Sequence, residues 1–244
     1  MILPTMNDEE KTFEVFRMTN ILCEFMDGLK PEVMSKFYKG TRFPYFQRYS
    51  FKDDKGNRWI CLYYMLSKEY KKKRAYKSLA YIVYDIPRKH KEVDVNAGRG
   101  CLIFDPYSMR DRINNVEGHR PAIITDIVPH AFNRYTERYL KPIGKENIEF
   151  GLKLESMLKR WQWFDICADM NGDENAAKHK GDSICPYDVI MRGGGMLRGN
   201  IVHELLMRIN TYVSADMMFD NQLDNIDDMN HEYHRFKAKN GGII

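Results

Sequence analysis

The chain has 244 residues, a formal net charge of +4, 43% hydrophobic residues and 30% charged residues. These values are typical of a globular protein that folds as one large or two small domains, and we favour two. No run of about 18 apolar residues could span a bilayer, and the first residues, Met1-Ile2-Leu3-Pro4, turn acidic before a signal-peptide core can form. The sequence therefore predicts a cytoplasmic protein with no membrane partner.

Neither a disulfide framework nor a metal centre is expected. The cysteines are odd in number, lie far apart and form no Cys-x-x-Cys pair: Cys23, Cys61, Cys101, Cys167 and Cys185. The spacing His231-x-x-His234 is compatible with a metal site, but a fixed third ligand is missing. His203-Glu204 lacks the second histidine of a zinc protease, and Gly193-Gly194-Gly195 precedes a predicted strand rather than a phosphate-binding helix. We therefore predict no metal and no cofactor.

The amino-terminal part, residues 1–110, is predicted to be a small α+β domain. Two helices are indicated at 7–27, ended by Gly28, and at Pro31–Tyr38, and the first is expected to carry Phe13, Phe16, Asn20 and Cys23 along one side. Strands are then predicted at 46–51, 58–66, 78–86 and 101–104, with the polar connection 52–57 forming a hairpin turn. Together they predict helices packed on a small antiparallel sheet.

Positive charge is concentrated in this domain, because residues 68–91 carry nine lysines and arginines but only two acids. Tyrosines lie beside the basic run, and the candidate nucleic-acid-binding residues are Tyr70, Lys71, Lys72, Lys73, Arg74, Tyr76 and Lys77. Aromatic rings can stack on bases while lysine and arginine neutralise phosphates, so this pattern favours single-stranded nucleic acid. The alternative is a lysine-rich loop that is simply solvated.

A domain boundary is predicted at 106–121, where charges, glycine and two prolines show little apolar periodicity. The second α+β domain, residues 119–244, is predicted to contain a helix beginning at Pro129, a helix over 145–161 and three strands at 187–192, 196–203 and 205–213. The polar stretch 162–186 is expected to be an exposed insertion. After Ser214, an acidic helix is expected to continue to about residue 236.

The helix beginning at Pro129 is predicted to place its basic side chains on one face. At about 100° per residue, His130, Arg134, Arg138 and Lys141 fall on one face, while Phe132, Tyr135 and Tyr139 lie on the other. Pro129 fits the first helical turn, which places His130 close to the helix N-terminus. An imidazole beside two guanidinium groups suits a phosphodiester, although the same pattern also fits an ordinary solvated face.

The motif His130-Ala-x-x-Arg134-x-x-x-Arg138, followed by a meander that ends Ile209-Asn210-Thr211-Tyr212-Val213, resembles the RelE/ParE-like toxin superfamily over about residues 119–218. The resemblance implies a RelE-like second domain and metal-independent cleavage of RNA, with His130, Arg134 and Arg138 as matched residues. His203 and Tyr212 are further catalytic candidates by their chemistry, and Lys141, Arg198 and Arg208 are candidate RNA contacts. The family also implies a protein partner, such as an antitoxin-like inhibitor.

We therefore predict an RNA-binding protein with metal-independent endoribonuclease activity. The alternative is a non-enzymatic protein of a phage or mobile element, either nucleic-acid-binding or structural, in which the same arginines only form ion pairs. A cationic groove around His130 would favour the enzyme, whereas arginines paired with buried acids would favour the alternative.

Overall fold

The structure is a computed structural model and describes residues 6–72, 74–86, 98–117, 122–161, 185–203, 205–218, 220, 231 and 235. It combines helices with an open, mostly antiparallel sheet of eight strands. The strands are β1 (Tyr45–Lys52), β2 (Arg58–Met65), β3 (Lys77–Ile86), β4 (Gly98–Phe104), β5 (Ile124–Ile127), β6 (Cys185–Ile190), β7 (Met196–His203) and β8 (Leu206–Val213). Their order across the sheet is β1-β2-β3-β4-β5-β8-β7-β6, so helices with a mostly antiparallel sheet are confirmed.

The chain forms two compact units. The first unit comprises Met1–Ile127 with His203–Met207, and the second comprises Val128–Val202 with Arg208–Ile244. Each unit therefore contains two separate stretches of the chain.

In the first unit, a single helix, α1 (Asp8–Lys39), replaces the two helices that the sequence analysis predicted. Asn7 caps its start by accepting a hydrogen bond from the backbone N–H of Glu10, 2.8 Å away. Pro31 lies inside the helix and does not end it, because buried side chains continue past it to Val33 and Phe37.

The buried face of α1 also differs from the predicted one. Val15, Met18 and Leu22 are fully buried, whereas Phe13 and Phe16 lie at the surface. Apolar periodicity pointed to the wrong face because charged residues of the helix take part in buried ion pairs. The first predicted helix, 7–27, therefore lies within α1 but does not end at Gly28, and of its predicted side Cys23 is buried while Phe13 and Phe16 are exposed.

The predicted hairpin and the strands that follow it are confirmed. β1 pairs with β2, β2 with β3, and β3 with β4, all antiparallel. In the hairpin turn, Asp53 accepts hydrogen bonds from the backbone N–H groups of Lys55 and Asn57 at 3.0 and 2.7 Å. A short helix, α2 (Lys68–Lys72), occupies the connection between β2 and β3.

The predicted boundary stretch contains the helix α3 (Pro106–Ile113), which packs against α1. Asp105 caps it by accepting a hydrogen bond from the N–H of Tyr107 at 3.0 Å, and Pro106 occupies the first turn. The Tyr107 hydroxyl donates to Asp27 of α1 at 2.9 Å. Residues 106–113 of the predicted boundary are therefore helical rather than irregular.

The second unit contains α4 (Pro129–Tyr135), a π-helical turn (Thr136–Leu140), a 3-10 turn (Lys141–Ile143) and α5 (Phe150–Arg160). The two predicted helices are thus present, but α5 begins later than expected. The two strands β6 and β7 are antiparallel and are joined through Gly193-Gly194-Gly195, all with positive φ. Most of the predicted insertion at 162–186 and most of the predicted acidic terminal helix lie outside the described residues.

Candidate nucleic-acid interface

The predicted basic segment of the first unit is a helix followed by a tight turn. Tyr70, Lys71 and Lys72 belong to α2, and Arg74 follows with a φ of 53°. The N–H of Arg74 donates to the carbonyl of Lys71 at 3.2 Å, which completes the turn. Lys73 lies outside the described residues.

The two tyrosines of this segment pack in or against the core, so their rings are not free to stack on bases. Tyr70 is buried on the inner side of α2. Tyr76 is half-buried, with its ring centroid 6.2 Å from that of Phe37 and 5.6 Å from that of Tyr63. Burial raises the pKa of Tyr76, as expected for a phenol removed from water. The prediction that these rings interleave with lysines at the surface is therefore corrected.

A hydrogen bond joins α2 to the end of α1. Lys71 Nζ donates to the carbonyl of Gly40 at 2.9 Å. This bond places the exposed residues that follow Phe37 beside the exposed cations of α2, which are distant in sequence. We call the resulting surface the basic edge, and it consists of Tyr38, Lys39, Arg42, Lys68, Lys72 and Arg74, all exposed.

The basic edge is not neutralised within the described part of the chain. There, its lysines and arginines form no hydrogen bond or ion pair through their side chains. The neighbouring cation Lys36 differs, because Glu32 lies 2.5 Å from it and raises its pKa. Tyr38 is 44% exposed, so an aromatic residue at the end of α1 is accessible to solvent. Sequence reasoning missed Tyr38, Lys39 and Arg42 because only the fold brings them to the α2 segment.

Lys77 does not belong to the basic edge, because it is half-buried on β3 and already interacts with another residue.

In the second unit, the π-helical turn changes the predicted cationic face. The N–H of Lys141 donates to the carbonyl of Thr136, five residues earlier, so the turn is wider than in an α-helix. Residues after Tyr135 therefore rotate less than the 100° per residue on which the prediction relied. Arg134 and Arg138 consequently have different environments.

The four residues predicted to share that face make different contacts in the structure. Arg134 forms an exposed ion pair with Glu137 at 2.7 Å. Arg138 donates through Nη1 to the carbonyl of Tyr212 at 2.6 Å, which connects the π-helical turn to β8. His130 is half-buried and forms no hydrogen bond with any described residue, and Lys141 is exposed. Neither arginine is paired with a buried acid.

Tyr212 is a core residue, which argues against direct contact with a substrate. It is 2% exposed, and its ring lies 5.2 Å from that of Tyr135. A side chain at Gly195 would approach the Tyr212 hydroxyl to 2.4 Å, so the turn needs glycine there.

Arg160, which the sequence analysis did not single out, organises this part of the core. Its guanidinium donates to the carbonyls of Arg192 and Gly194 and to the Tyr212 hydroxyl, and it lies 3.7 Å from the centroid of the Tyr139 ring. Burial alone would lower the pKa of Arg160, but the hydrogen bonds with the tyrosine hydroxyls outweigh it and raise the pKa. Burial raises the pKa of Tyr135 to about 12, so its hydroxyl stays protonated near neutral pH.

The remaining strand candidates are also engaged in the fold. Arg198 pairs with the buried Asp188 at 3.2 Å, and Arg208 is half-buried with an interaction of its own. His203 is half-buried, and its Nδ1 atom is shielded from solvent and has no hydrogen-bond partner among the described residues. His203 belongs to the first unit and His130 to the second.

The described residues contain no group of three or more His, Cys, Asp or Glu side chains placed to hold a metal ion. The thiols of Cys23, Cys61 and Cys101 are free and buried. Within the same described ranges, no helix is both long enough and apolar enough to cross a membrane. The chain shows no significant match to any protein-family model, any curated protein or any solved structure.

Proposed function

We propose that this protein binds single-stranded RNA through the basic edge of its first unit. The observation that carries the proposal is the Lys71–Gly40 hydrogen bond, which brings two cationic segments together. Their charges have no acidic partner among the described residues, and Tyr38, next to Lys39 in the chain, is exposed. Lysine and arginine neutralise phosphates, and an exposed ring can stack on a base.

A purely structural role explains only part of this charge. Lys39 and Lys72, in the last turns of α1 and α2, interact favourably with the helix dipoles, by about 0.3–1 kcal/mol each. That effect is limited to the last turn of a helix, whereas Arg42 and Arg74 lie beyond the helix ends. A polyanion would offset the mutual repulsion that such unpaired cations otherwise produce.

Titration of the full-length protein with a labelled 20-nucleotide single-stranded RNA at several salt concentrations tests this proposal. Affinity is expected to fall as salt rises, with a log–log slope of about −0.7 for each phosphate contacted. The variant Lys72→Glu/Arg74→Glu should bind more weakly and show a flatter slope. Tyr38→Ala should reduce affinity without changing the slope, because stacking releases no counterions.

Lys52→Glu/Arg58→Glu is the matched control. It changes the net charge by the same amount, but Lys52 and Arg58 form a register pair at the turn end of the β1–β2 hairpin. The strands are eight residues long, so that end lies roughly 23 Å from the opposite end, beyond the screening length at physiological salt. Equal losses in both charge variants would show that net charge, rather than the basic edge, governs binding.

We propose metal-independent RNA cleavage in the second unit as a second candidate activity, together with the RelE-like fold of this region. The observation that favours it is His130, whose imidazole has no hydrogen-bond partner among the described residues. In this mechanism His130 removes the proton of a ribose 2′-OH, the 2′-oxygen attacks phosphorus, and the 5′-oxygen leaves with a proton from an acid. Arg134 and Lys141 would stabilise the charge of the phosphorane.

His130→Ala tests this activity and should reduce cleavage by about 10²–10⁴-fold with little loss of RNA affinity. Asn133→Ala, at an exposed position on the same helix, is the control and should cleave normally. EDTA should have no effect, and an oligonucleotide containing only deoxyribose should remain intact. Intact RNA with the wild-type protein, while binding persists, would leave a non-enzymatic RNA-binding protein.

A further inference from the structure

The first half of α1 presents large apolar side chains to solvent. Phe13 is 69% exposed, Phe16 38% and Ile21 39%. Phe13 and Phe16 make no ring–ring contact with any described aromatic residue. Ile21 lies about 140° around the helix axis from Phe16, so we call only Phe13 and Phe16, which are three residues apart, the apolar stripe. Two exposed aromatic side chains three residues apart on one helix are neighbours, and aromatic side chains are the usual anchors of protein interfaces.

The apolar stripe is bordered by acids. At about 100° per residue, Glu9, Glu10 and Glu24 all lie within roughly 60° of Phe13 around the helix axis. Glu9 and Glu24 are exposed and form no ion pair with any described residue. The nearby cation Arg17 does not neutralise them, because its guanidinium is bonded to Glu14, Asp53 and Asp54.

From these observations, we propose that the apolar stripe binds an amphipathic helix of another protein, whose apolar side is flanked by lysine and arginine. Such a helix would cover Phe13 and Phe16 while its cations meet Glu9 and Glu24. The capping box formed by Asn7 and Glu10 fixes the start of α1, so the surface exists before binding.

A second copy of this chain fits the stripe less well. Two α1 helices packed antiparallel would bring Glu9 and Glu10 of one copy against Glu24 of the other, and parallel packing would bring identical acids together. Anionic lipids and nucleic acids would meet the same repulsion. A cationic helical partner is the occupant that the charges favour.

The test uses the full-length protein and a fluorescent 18-residue helical peptide with leucine on one side and lysine on the other. A matched peptide carries glutamate in place of lysine. The wild-type protein should bind the lysine peptide in preference to the glutamate peptide. Phe13→Ser/Phe16→Ser should weaken binding at least tenfold, because central aromatic anchors contribute most of an interface's affinity. Glu9→Gln/Glu24→Gln should reduce the salt dependence.

Ile143→Ser/Leu152→Ser is the matched control, since both side chains are exposed and apolar but belong to the second unit. This variant should bind the lysine peptide as the wild type does. Equal affinity for both peptides, or an equal loss in the control and the phenylalanine variant, would overturn the proposal. It would also be overturned by a wild-type dimer in sedimentation that the phenylalanine variant abolishes, because the occupant would then be a second copy.

Discussion

At the scale of single residues, the carboxylate of Asp126 in the first unit is fully buried on β5 and is held by hydrogen bonds. Lys11 of α1 donates to one oxygen at 2.7 Å, and the Tyr84 hydroxyl donates to the other at 2.6 Å. The Tyr84 ring fits only because Gly100 opposes it, where an added Cβ would lie 2.5 Å from the hydroxyl. A buried charge is tolerated when paired and hydrogen-bonded in this way.

Replacing Lys11 by methionine should lower the free energy of unfolding by about 3–5 kcal/mol, because the Asp126 carboxylate would remain buried without its cation. Urea denaturation measures this change. The double variant Lys11→Met/Asp126→Asn should recover a substantial part of the loss, since the uncompensated charge is gone. A double variant as unstable as the single one would show that packing, rather than charge, is responsible.

Sequence reasoning could not find such residues, because their partners are far away in the chain. Lys11 and Asp126 are 115 positions apart, and Arg160 and Tyr212 are 52 apart. Tyr212 was selected as catalytic because tyrosine can donate a proton, but only the structure shows that its hydroxyl bonds to Arg160. His130 differs, because its position at the start of a helix was readable from Pro129.

At the scale of elements, a polar network attaches α1 to the β1–β2 hairpin. Arg17 donates to Glu14 at 2.7 Å and to Asp53 at 3.0 Å, and Lys55 donates to Glu14 at 2.8 Å. The hydrogen bond from Arg17 holds the pKa of Glu14 below its usual value. Burial acts to raise the pKa of Asp53, but hydrogen bonds, chiefly from Asn57, lower it overall.

Glu14→Gln should therefore destabilise the protein in a pH-dependent manner. A carboxylate whose folded pKa is depressed stabilises the fold above its unfolded value, near pH 4.3, and loses that contribution as the pH falls through its folded pKa. The difference in melting temperature between the wild type and Glu14→Gln should be greatest near pH 6–7 and should shrink below about pH 4. A difference that is constant with pH would assign the effect to shape rather than charge.

The π-helical turn depends on contacts made by arginines. Arg138 bonds to the Tyr212 carbonyl, and Arg160 lies over the Tyr139 ring while bonding to the Gly193–Gly195 turn. Because one lysine ammonium cannot reproduce a planar group with several fixed donors, Arg160→Lys is not a conservative change here.

Arg160→Lys should lower the free energy of unfolding by about 1–3 kcal/mol, the cost of leaving buried acceptors unsatisfied. Thermal unfolding monitored by near-ultraviolet circular dichroism should show the loss, because Tyr135, Tyr139 and Tyr212 surround the guanidinium. Lys145→Arg is the control at an exposed position and should leave stability unchanged. If both variants unfold at the wild-type temperature, Arg160 does not organise this core.

At the scale of the whole molecule, the sequence predicted the positions of helices and strands better than it predicted which of their sides are buried. The hairpin was clear because polar residues separate two aromatic-rich runs. The helix α3 was missed although its signals were present, namely Asp105 as the cap and Pro106 in the first turn. Only the α2 part of the basic edge could be predicted from the sequence. Residues 39–42 approach α2 through the Lys71–Gly40 hydrogen bond, which sequence periodicity does not encode.

The first unit is built from two separate stretches, so the segment 1–127 is not expected to be fully stable alone. In the folded chain, the N–H of Ile124 donates to the carbonyl of Leu205 at 2.8 Å, and Leu206 and Met207 are buried. Deleting this second stretch removes apolar burial worth about 1.5–3 kcal/mol for each of these two side chains. It also leaves the Ile124 N–H without that acceptor.

The fragment 1–127 should therefore unfold at a lower urea concentration than the same unit in the full chain, with a loss of about 3–6 kcal/mol. Trp59 is fully buried in the first unit and provides the fluorescence signal. Replacing Trp161 and Trp163 by phenylalanine in the full chain leaves Trp59 as the only tryptophan of both proteins. Coincident unfolding curves would show that His203–Met207 contributes nothing to the unit, whereas a shifted curve would show that residues beyond Ile127 stabilise it.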